Sequence, residues 1–380
     1  MIVGVPAEKG EGEQRVAVVP ETAARLTAKG IEVHVAAGAG AAARISDEDY
    51  RQAGAKIDAS AQMLFAVADV LVKVGAPVLH EVAGLTPGTM LICLLFARFN
   101  PEAARALVAR GITTIALENL PRTTAAQAMD VLSSQSTAAG YRAVIVAANA
   151  LGKFFPMLMT PAGTIAPARV LVIGAGVAGL QAIATARRLG ATVEAFDVRA
   201  AAREEVESLG AKFISAEIEE VAESTEGYAR ALSERAQRSA RAVIDGVLAH
   251  ADVCITTALV PNQRAPLLIT AEMAQGMRPG AVIVDLAAAQ GGNCALTQPG
   301  KDIVSNGITV IGRLNLAAEV AADASRMYSR NVEKLIEHFY RDGRFRIDFS
   351  DEIARRCVVT HGGEILHDEL RAAIERERAA

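Results

Sequence analysis

The chain has 380 residues, of which 51% are hydrophobic, 4% are aromatic and 31 are glycines. This length suits two domains of ordinary size, and the composition is typical of an α/β enzyme rather than of a disordered or fibrous chain. The net charge of -4 provides no basic field for nucleic acid or anionic lipid, so we expect no nucleic-acid partner.

The four cysteines are scattered, with neither a CxxC pair nor a cluster with histidine. This pattern fits reduced thiols and predicts no metal site. At the N-terminus, Glu8 and Lys9 bring charge before an apolar signal-peptide core is long enough to form. These features predict a cytoplasmic protein.

Strand-like and helix-like runs alternate from the first residues onward. The elements predicted in this first region are residues 2–5, 21–28, 31–36, 70–74, 90–95, 101–110 and 113–117. Such alternation is typical of a mostly parallel sheet with helices on both faces. We assign residues 1–137 to a first Rossmann-like domain.

A long alanine-rich run, residues 134–155, predicts a connecting helix. A second series of predicted strands follows at residues 170–173, 192–196, 212–214, 252–256, 281–286 and 308–311. We assign residues 138–318 to a second Rossmann-like domain. The tail, residues 319–380, predicts a helix over 320–340 and short strands around a Gly-Gly turn, and we expect it to pack on the first domain. The predicted fold class is α/β, with two doubly wound parallel sheets and a cleft between the domains.

A glycine motif opens the second domain. The apolar strand at 170–173 runs into Gly174, Gly176 and Gly179 in GxGxxG spacing, with Val177 and Ala178 between them, and a helix follows. The alternative, a membrane helix over 170–186, is disfavoured because three glycines would weaken it. A strand-turn-helix instead uses them for a tight turn, close approach of a pyrophosphate and close helix packing.

An acidic residue completes the dinucleotide signature. Asp197 ends the next strand, 18 positions after the third glycine, where it would accept hydrogen bonds from the adenosine ribose. Its charge favours NAD(H) over NADP(H), although Arg199 lies two positions on and offers a partner for a 2′-phosphate. We also assign Val198 and the turn Thr257, Ala258 and Leu259, which follows the strand at 252–256, to the cofactor site.

Residues 217–241 are unusually polar for this chain. They fit either a solvated helix or a mobile loop that folds over a ligand, with Tyr228 at its tip.

Two segments carry more identity than a generic Rossmann enzyme needs. They read PRTTAAQAMDVLSSQS at residues 121–136, continuing into AGYRA at 139–143, and LQAIATARRLG at residues 180–190. They closely resemble the NAD(H)-binding component of proton-translocating NAD(P) transhydrogenases, a family related to alanine dehydrogenase. The likeness covers nearly the whole chain, from the residues around Arg15 to residues 321–325.

The resemblance implies an activity and a set of site residues. It implies a Re/Si-specific transhydrogenase in which a hydride passes directly between NAD(H) on this chain and NADP(H) on a partner subunit. By resemblance, the residues around the nicotinamide are Arg122, Gln127, Asp130 and Ser133. From spacing alone, Gln127, Asp130 and Ser133 fit a capped, polar helix face equally well. Tyr228 sits where the family carries the tyrosine of its mobile loop.

The resemblance also implies partners. A membrane subunit and an NADP(H)-binding subunit would complete the enzyme, because no segment of this chain is predicted to span a membrane. This chain would then be a homodimer and a peripheral protein on the inner face of the bacterial cytoplasmic membrane.

Two alternatives remain open. An amino-acid dehydrogenase of the alanine dehydrogenase type needs a proton-transfer group, but Leu94 and Ala289 stand where its histidine and aspartate would be. Arg15 and Lys73 match the carboxylate-binding pair of such an enzyme, or form a structural ion pair. The second alternative is a non-catalytic NAD sensor. Departures from the transhydrogenase pattern at Leu94, Ala125 and residues 311–319 put nucleotide contacts near Asn315 and partner contacts in doubt.

Overall fold

The structure, a computed structural model, describes residues 1–216, 233–259, 264–368, 370–372 and 374. Its strands, in chain order, are β1 (Ile2–Val5), β2 (Glu32–Ala36), β3 (Lys56–Asp58), β4 (Val70–Val72), β5 (Met90–Cys93), β6 (Thr113–Ala116), β7 (Leu158–Thr160), β8 (Gly163–Ile165), β9 (Arg169–Ile173), β10 (Thr192–Phe196), β11 (Lys212–Ile214), β12 (Val253–Thr256), β13 (Val282–Asp285), β14 (Asp302–Ser305), β15 (Ile308–Ile311), β16 (Tyr340–Arg341), β17 (Arg344–Phe345), β18 (Val358–His361) and β19 (Glu364–Ile365).

The helices, in the same order, are α1 (Pro20–Ala28), α2 (Asp47–Gln52), α3 (Ala61–Val67), α4 (Leu79–Gly84), α5 (Pro101–Ala109), α6 (Val131–Ala150), α7 (Val177–Arg188), α8 (Ala202–Ser208), α9 (Glu234–Leu248), α10 (Ala271–Gln275), α11 (Ala321–Phe339) and α12 (Glu352–Cys357). Short 3₁₀ helices cover Ala41–Ala43, Leu117–Asn119, Gln127–Met129, Ala288–Gln290 and Leu316–Val320.

The chain forms two compact units. Unit 1 consists of Met1–Gln135 and Ala318–Ala380, and unit 2 consists of Ser136–Ala317. In unit 1, the described residues form a sheet in the order β19-β18-β6-β5-β4-β1-β2-β3, parallel from β6 to β3. The tail joins this sheet, because β18 pairs antiparallel with β6.

Unit 2 contains a second, mostly parallel sheet. Its described strands lie in the order β11-β10-β9-β12-β13-β15-β14, and the edge strand β14 is antiparallel to β15. Alternate residues of each central strand enter different cores: Val170 and Val172 pack with α6, α7 and α8, whereas Leu171 and Ile173 pack with α9 and α10. Helices on both faces explain why these strands are almost wholly apolar. The predicted α/β fold class, with two doubly wound sheets, is confirmed.

Two segments differ from the sequence-based prediction. The connecting helix is predicted at 134–155, but α6 begins at Val131 and ends at Ala150. It begins earlier because Asp130 caps it, and Gly152 follows its end. Of the polar segment at 217–241, residues 217–232, including Tyr228, lie outside the described residues, and the remainder begins α9.

All four cysteines are buried and free of disulfide bonds, with Cys93 and Cys357 in unit 1 and Cys254 and Cys294 in unit 2. Burial raises the pKa of each thiol, to about 12 for Cys357. Among the residues that the structure describes, we find no helix with the length and hydropathy needed to cross a membrane.

Candidate functional site

The strand order of unit 2 reverses between β9 and β12. The strands β10 and β11 extend the sheet on one side of β9, whereas β12 and β13 extend it on the other. Doubly wound sheets bind ligands at such a switch point, outside the carboxyl ends of their strands. Gly174 follows β9 and Thr257 follows β12, and the Thr257 hydroxyl donates to the Gly174 carbonyl oxygen at 3.0 Å. The predicted glycine motif and the predicted Thr257–Leu259 turn therefore meet at this crevice.

The three glycines of the motif have different surroundings. Gly174 has a φ of +97°, and a Cβ atom there would lie 2.6 Å from the Thr257 hydroxyl. A Cβ atom on Gly179 would lie 1.8 Å from the Gly174 carbonyl oxygen, whereas one on Gly176 would meet no atom within 4 Å. The first and third glycines are thus required by packing. Gly176 borders open space, as expected if a pyrophosphate approaches the backbone there.

The helix after the motif directs amides toward the same space. The Leu180 amide makes the helical bond to the Gly176 carbonyl at 2.8 Å, so Val177 and Ala178 lie in the first turn, whose amides precede the helical ladder. Val177 is 37% exposed. Backbone N–H groups and the positive end of the helix dipole fit a phosphate-bearing ligand.

Asp197, at the end of β10, is buried and bonded to the chain itself. One of its carboxylate oxygens accepts from the Ala175 amide at 2.7 Å and from Arg199 Nη2 at 3.0 Å. The other accepts from the Arg199 amide at 2.8 Å and from Arg199 Nε at 3.0 Å. The structure therefore gives Asp197 a role that the sequence did not predict, which is to tie the glycine loop to β10 and to hold Arg199. Val198 between them is half-buried.

The residues predicted to surround the nicotinamide lie in unit 1. Arg122 and Gln127 are exposed, whereas Asp130 and Ser133 are half-buried. The Asp130 carboxylate accepts from the Ser133 amide at 2.9 Å and from the Ser133 hydroxyl at 2.6 Å. Asp130 thus caps the N-terminus of α6, which is the structural alternative left open by their spacing. Their contact with a nicotinamide remains a prediction.

Sequence reasoning missed the residue that anchors this segment. Asn331 on α11 donates from its side-chain amide to the Ala128 carbonyl at 2.8 Å, within the 3₁₀ helix Gln127–Met129. Met129 is buried in the unit 1 core. Gln127 is therefore an exposed residue on a well-anchored turn. No motif announced Asn331, because a lone asparagine in a helical pattern carries no local signal.

The segment after Leu94 is held by a buried glutamate. Glu118, just after β6, accepts from the Leu95 amide at 3.0 Å and the Phe96 amide at 2.5 Å, and Phe96 has a φ of +42°. Burial raises the pKa of Glu118 to about 7, although these backbone donors oppose the shift. Glu118 is a titratable group that no sequence pattern indicated.

The cations Arg15 and Lys73 are paired with carboxylates of unit 1. Arg15 bonds to both carboxylate oxygens of Glu13, at 2.8 Å and 2.6 Å, and to Gln135 at 2.7 Å. Lys73 is 1% exposed and lies between Glu8, at 3.4 Å, and Glu81, at 3.2 Å. Burial disfavours the charged lysine, but these two carboxylates raise its pKa above the usual value. Both cations make structural ion pairs, which the sequence left open as the alternative to substrate binding.

Comparison with known proteins places the whole chain in one family. Residues 4–139 match the family described as "Alanine dehydrogenase/PNT, N-terminal domain", and residues 143–368 match "Alanine dehydrogenase/PNT, C-terminal domain". The chain is 46% identical to the first of the separate parts of the NAD(P) transhydrogenase alpha subunit of Rhodospirillum rubrum, over 97% of this chain and 99% of that protein.

Two solved structures share the fold over almost the full length. The transhydrogenase of Sinorhizobium meliloti has a TM-score of 0.85 and 41% identity, covering 97% of this chain and 100% of that one. An L-alanine dehydrogenase has the same TM-score with 25% identity, covering 99% of each chain. These findings confirm the resemblance inferred from residues 121–136 and 180–190: the chain belongs to the alanine dehydrogenase/PNT family.

Proposed function

We propose that this chain is the NAD(H)-binding component of a proton-translocating transhydrogenase. In this reaction a hydride passes directly between NAD(H) on this chain and NADP(H) on a partner subunit. The observation that carries the proposal is the likeness, over almost the full length of both chains, to the Rhodospirillum rubrum protein named as a component of the NAD(P) transhydrogenase alpha subunit. The crevice at Gly174, Gly176 and Gly179 supports the NAD(H) portion of the proposal, because its open space and helix amides fit a pyrophosphate.

Each unit contributes its own residues to the proposed chemistry. In unit 2, the amides of Val177 and Ala178 bind the pyrophosphate and Asp197 lies at the adenosine ribose. In unit 1, Arg122, Gln127, Asp130 and Ser133 orient the nicotinamide. The bound NAD(H) supplies the hydride or accepts it at its nicotinamide ring, and no proton is released at the reacting carbons. The chain therefore needs to hold the rings about 3 to 3.5 Å apart, and it needs no acid or base at the reacting atoms.

The proposal includes subunits other than this chain. A membrane subunit would conduct the protons and a further subunit would bind NADP(H). The name of the Rhodospirillum rubrum relative supports this division, because it denotes one component of an alpha subunit rather than a whole enzyme. The chain itself would be a homodimer at the inner face of the bacterial cytoplasmic membrane.

An alanine-dehydrogenase-like activity is the second candidate, because a solved L-alanine dehydrogenase shares the fold. Carbonyl or imine reduction needs a proton donor near the substrate. Leu94 and Ala289 occupy the positions expected for that donor, and neither side chain titrates. Arg15 and Lys73 are already paired with Glu13, Glu8 and Glu81. These observations favour the transhydrogenase.

The deciding experiment is stopped-flow hydride transfer. The purified chain, loaded with an NAD analogue, is mixed with an isolated NADP(H)-binding domain, and alanine and pyruvate are tested in parallel. We expect fast transfer between nucleotides and no amino-acid turnover. Alanine-dependent formation of NADH would establish the dehydrogenase instead. Nucleotide binding without either reaction would favour the NAD sensor.

A further inference from the structure

Asp285 ends β13 and organises the turn that follows it. Its carboxylate is fully buried and accepts hydrogen bonds from three backbone amides and two hydroxyls. The amide donors are Ala287 at 3.0 Å, Asn293 at 2.8 Å and Cys294 at 3.1 Å, and the hydroxyl donors are Thr256 at 3.0 Å and Thr297 at 2.6 Å. Hydrogen bonds to a buried charge are among the strongest in proteins, so the turn is a rigid platform.

Asn293 stands on this platform with its side chain fully buried. Its Oδ1 accepts from the Ala258 amide at 3.1 Å, and its Nδ2 donates to the Ala258 carbonyl at 2.9 Å. Nδ2 also donates to the Pro266 carbonyl at 2.8 Å. One side chain therefore satisfies both backbone polar groups of Ala258. Only a carboxamide combines an acceptor and two donors in this way, and an aspartate loses the donors.

The residues beside Ala258 face the crevice. Thr257 is bonded to the Gly174 carbonyl, and the Leu259 side chain is 39% exposed. Dinucleotides cross the switch point of a doubly wound sheet, and the acidic residue after the second strand marks the adenosine half. Because Asp197 ends β10 on one side of β9, the nicotinamide half extends to the other side, over the carboxyl end of β12.

We propose that Asn293 is a positioning residue for the nicotinamide half of NAD(H). It fixes the segment Thr257–Leu259 in place before the cofactor binds, so that this ordering does not have to occur on binding. The proposal rests on the proposed NAD(H) function and concerns unit 2 alone.

The test compares two ligands on three proteins. The ligands are NADH and ADP, which share the adenosine and pyrophosphate and differ in the nicotinamide riboside. The proteins are the wild type, Asn293→Asp and the control Asp252→Asn. Asp252 immediately precedes β12, at the opposite end of that strand, where it accepts from Lys153 at 2.7 Å and from the Arg169 amide at 2.8 Å. The control therefore perturbs the same strand away from the crevice.

Calorimetric titration should show a selective loss. We expect Asn293→Asp to raise the Kd for NADH by about tenfold or more, since two buried hydrogen bonds are lost, while the Kd for ADP changes less than about twofold. The ratio of the two Kd values should stay at the wild-type value in Asp252→Asn. A purely structural role would weaken both ligands in proportion, and an unchanged ratio in Asn293→Asp would refute the proposal. Failure of the wild type to bind NADH would instead refute the proposed function.

A measurement on the wild type covers the case in which Asn293→Asp does not fold. Without cofactor, hydrogen exchange of the Ala258 amide should already be slow, because its acceptor is a buried side chain. Exchange at the rate of an unstructured loop, slowed only after NADH is added, would show that the cofactor orders the segment and would overturn the proposal.

Discussion

At the scale of single residues, the glycine motif shows that identical residues in one motif answer to different constraints. Packing requires Gly174 and Gly179, since a Cβ atom at either position would lie within 2.6 Å of a neighbouring oxygen. Nothing within 4 Å limits a side chain at Gly176. A methyl group at these positions is therefore expected to affect different properties, namely folding in one case and ligand access in the other.

The substitutions Gly179→Ala and Gly176→Ala separate these properties. Gly179→Ala forces a backbone shift and should lower the Tm of the protein. Gly176→Ala should leave the Tm near the wild-type value but weaken NADH binding by about tenfold or more, because its methyl group enters the pyrophosphate space. Thermal unfolding and calorimetric titration of each variant make the measurement. Equal losses of Tm in both variants would contradict this division.

Asp197 combines a structural and a selective role in one carboxylate. Asp197→Ala removes the acceptor of the Ala175 amide and releases the Arg199 guanidinium. We expect the ratio of NADPH affinity to NADH affinity to rise, because a negative charge is lost and Arg199 becomes available to a 2′-phosphate. Fluorescence titration with both nucleotides tests this, and Asp197→Asn, which keeps an acceptor, is the matched control. An unchanged ratio in Asp197→Ala would remove Asp197 from cofactor selection.

At the scale of elements, the 3₁₀ helix Gln127–Met129 is fixed from below and exposed above. Met129 is buried and Asn331 holds the Ala128 carbonyl, so Gln127 contributes little to the stability of the turn. Gln127→Ala should therefore leave NADH affinity and Tm nearly unchanged while slowing hydride transfer in stopped-flow measurements. A variant that loses affinity but transfers hydride normally when saturated would argue against a positioning role.

The elements that the sequence predicts well are those with strong periodicity or clear turn chemistry. The strands and helix around the glycine motif are predicted within a residue or two, because an apolar run, three glycines and a helical pattern agree there. The Gly362-Gly363 hairpin is also predicted. Two similar hairpins are missed, although Asn306-Gly307 and Asp342-Gly343 are turn pairs with positive φ at both positions. Their flanking strands are short and weakly alternating, so only the dipeptides signal them.

Other features have no local signal in the sequence. The exposed strands β7 and β8, which include Met159 at 79% exposure, lack the alternation of a half-buried hairpin. The bonds from Asn293 to Ala258 and from Asn331 to Ala128 join residues 35 and 203 positions apart. Such contacts depend on the tertiary fold. The glycine crevice was thus predictable, whereas the groups that support it were not.

At the scale of the whole molecule, Glu118 couples stability to pH. Burial raises its pKa in the folded state to about 7, above the value of 4.5 for an unperturbed glutamate. The folded state thus prefers the protonated form, and the stabilisation from proton binding is complete below the unfolded pKa and is lost as the pH rises through about 7. Glu118 therefore makes the free energy of unfolding fall between about pH 5 and pH 8.

The variant Glu118→Gln should remove this dependence. Urea unfolding at several pH values should show a smaller decrease for the variant, by up to about 3 kcal/mol across the range. The variant should be less stable than the wild type at low pH, since a glutamine oxygen can accept from only one of the Leu95 and Phe96 amides in the observed geometry. Parallel pH profiles for the two proteins would show that other groups govern the dependence.

The buried cysteines make the chain its own reporter of local opening. Because burial protects every thiol and each unit contains two, a thiol-alkylating reagent reacts only when the surrounding core opens. Mass spectrometry of the alkylated peptides then gives separate opening rates for unit 1, from Cys93 and Cys357, and for unit 2, from Cys254 and Cys294. If unit 2 holds the cofactor, NADH should slow alkylation of Cys254 and Cys294 more than that of the other pair. The reverse order would assign the cofactor's stabilising effect to unit 1, without any engineered label or substitution.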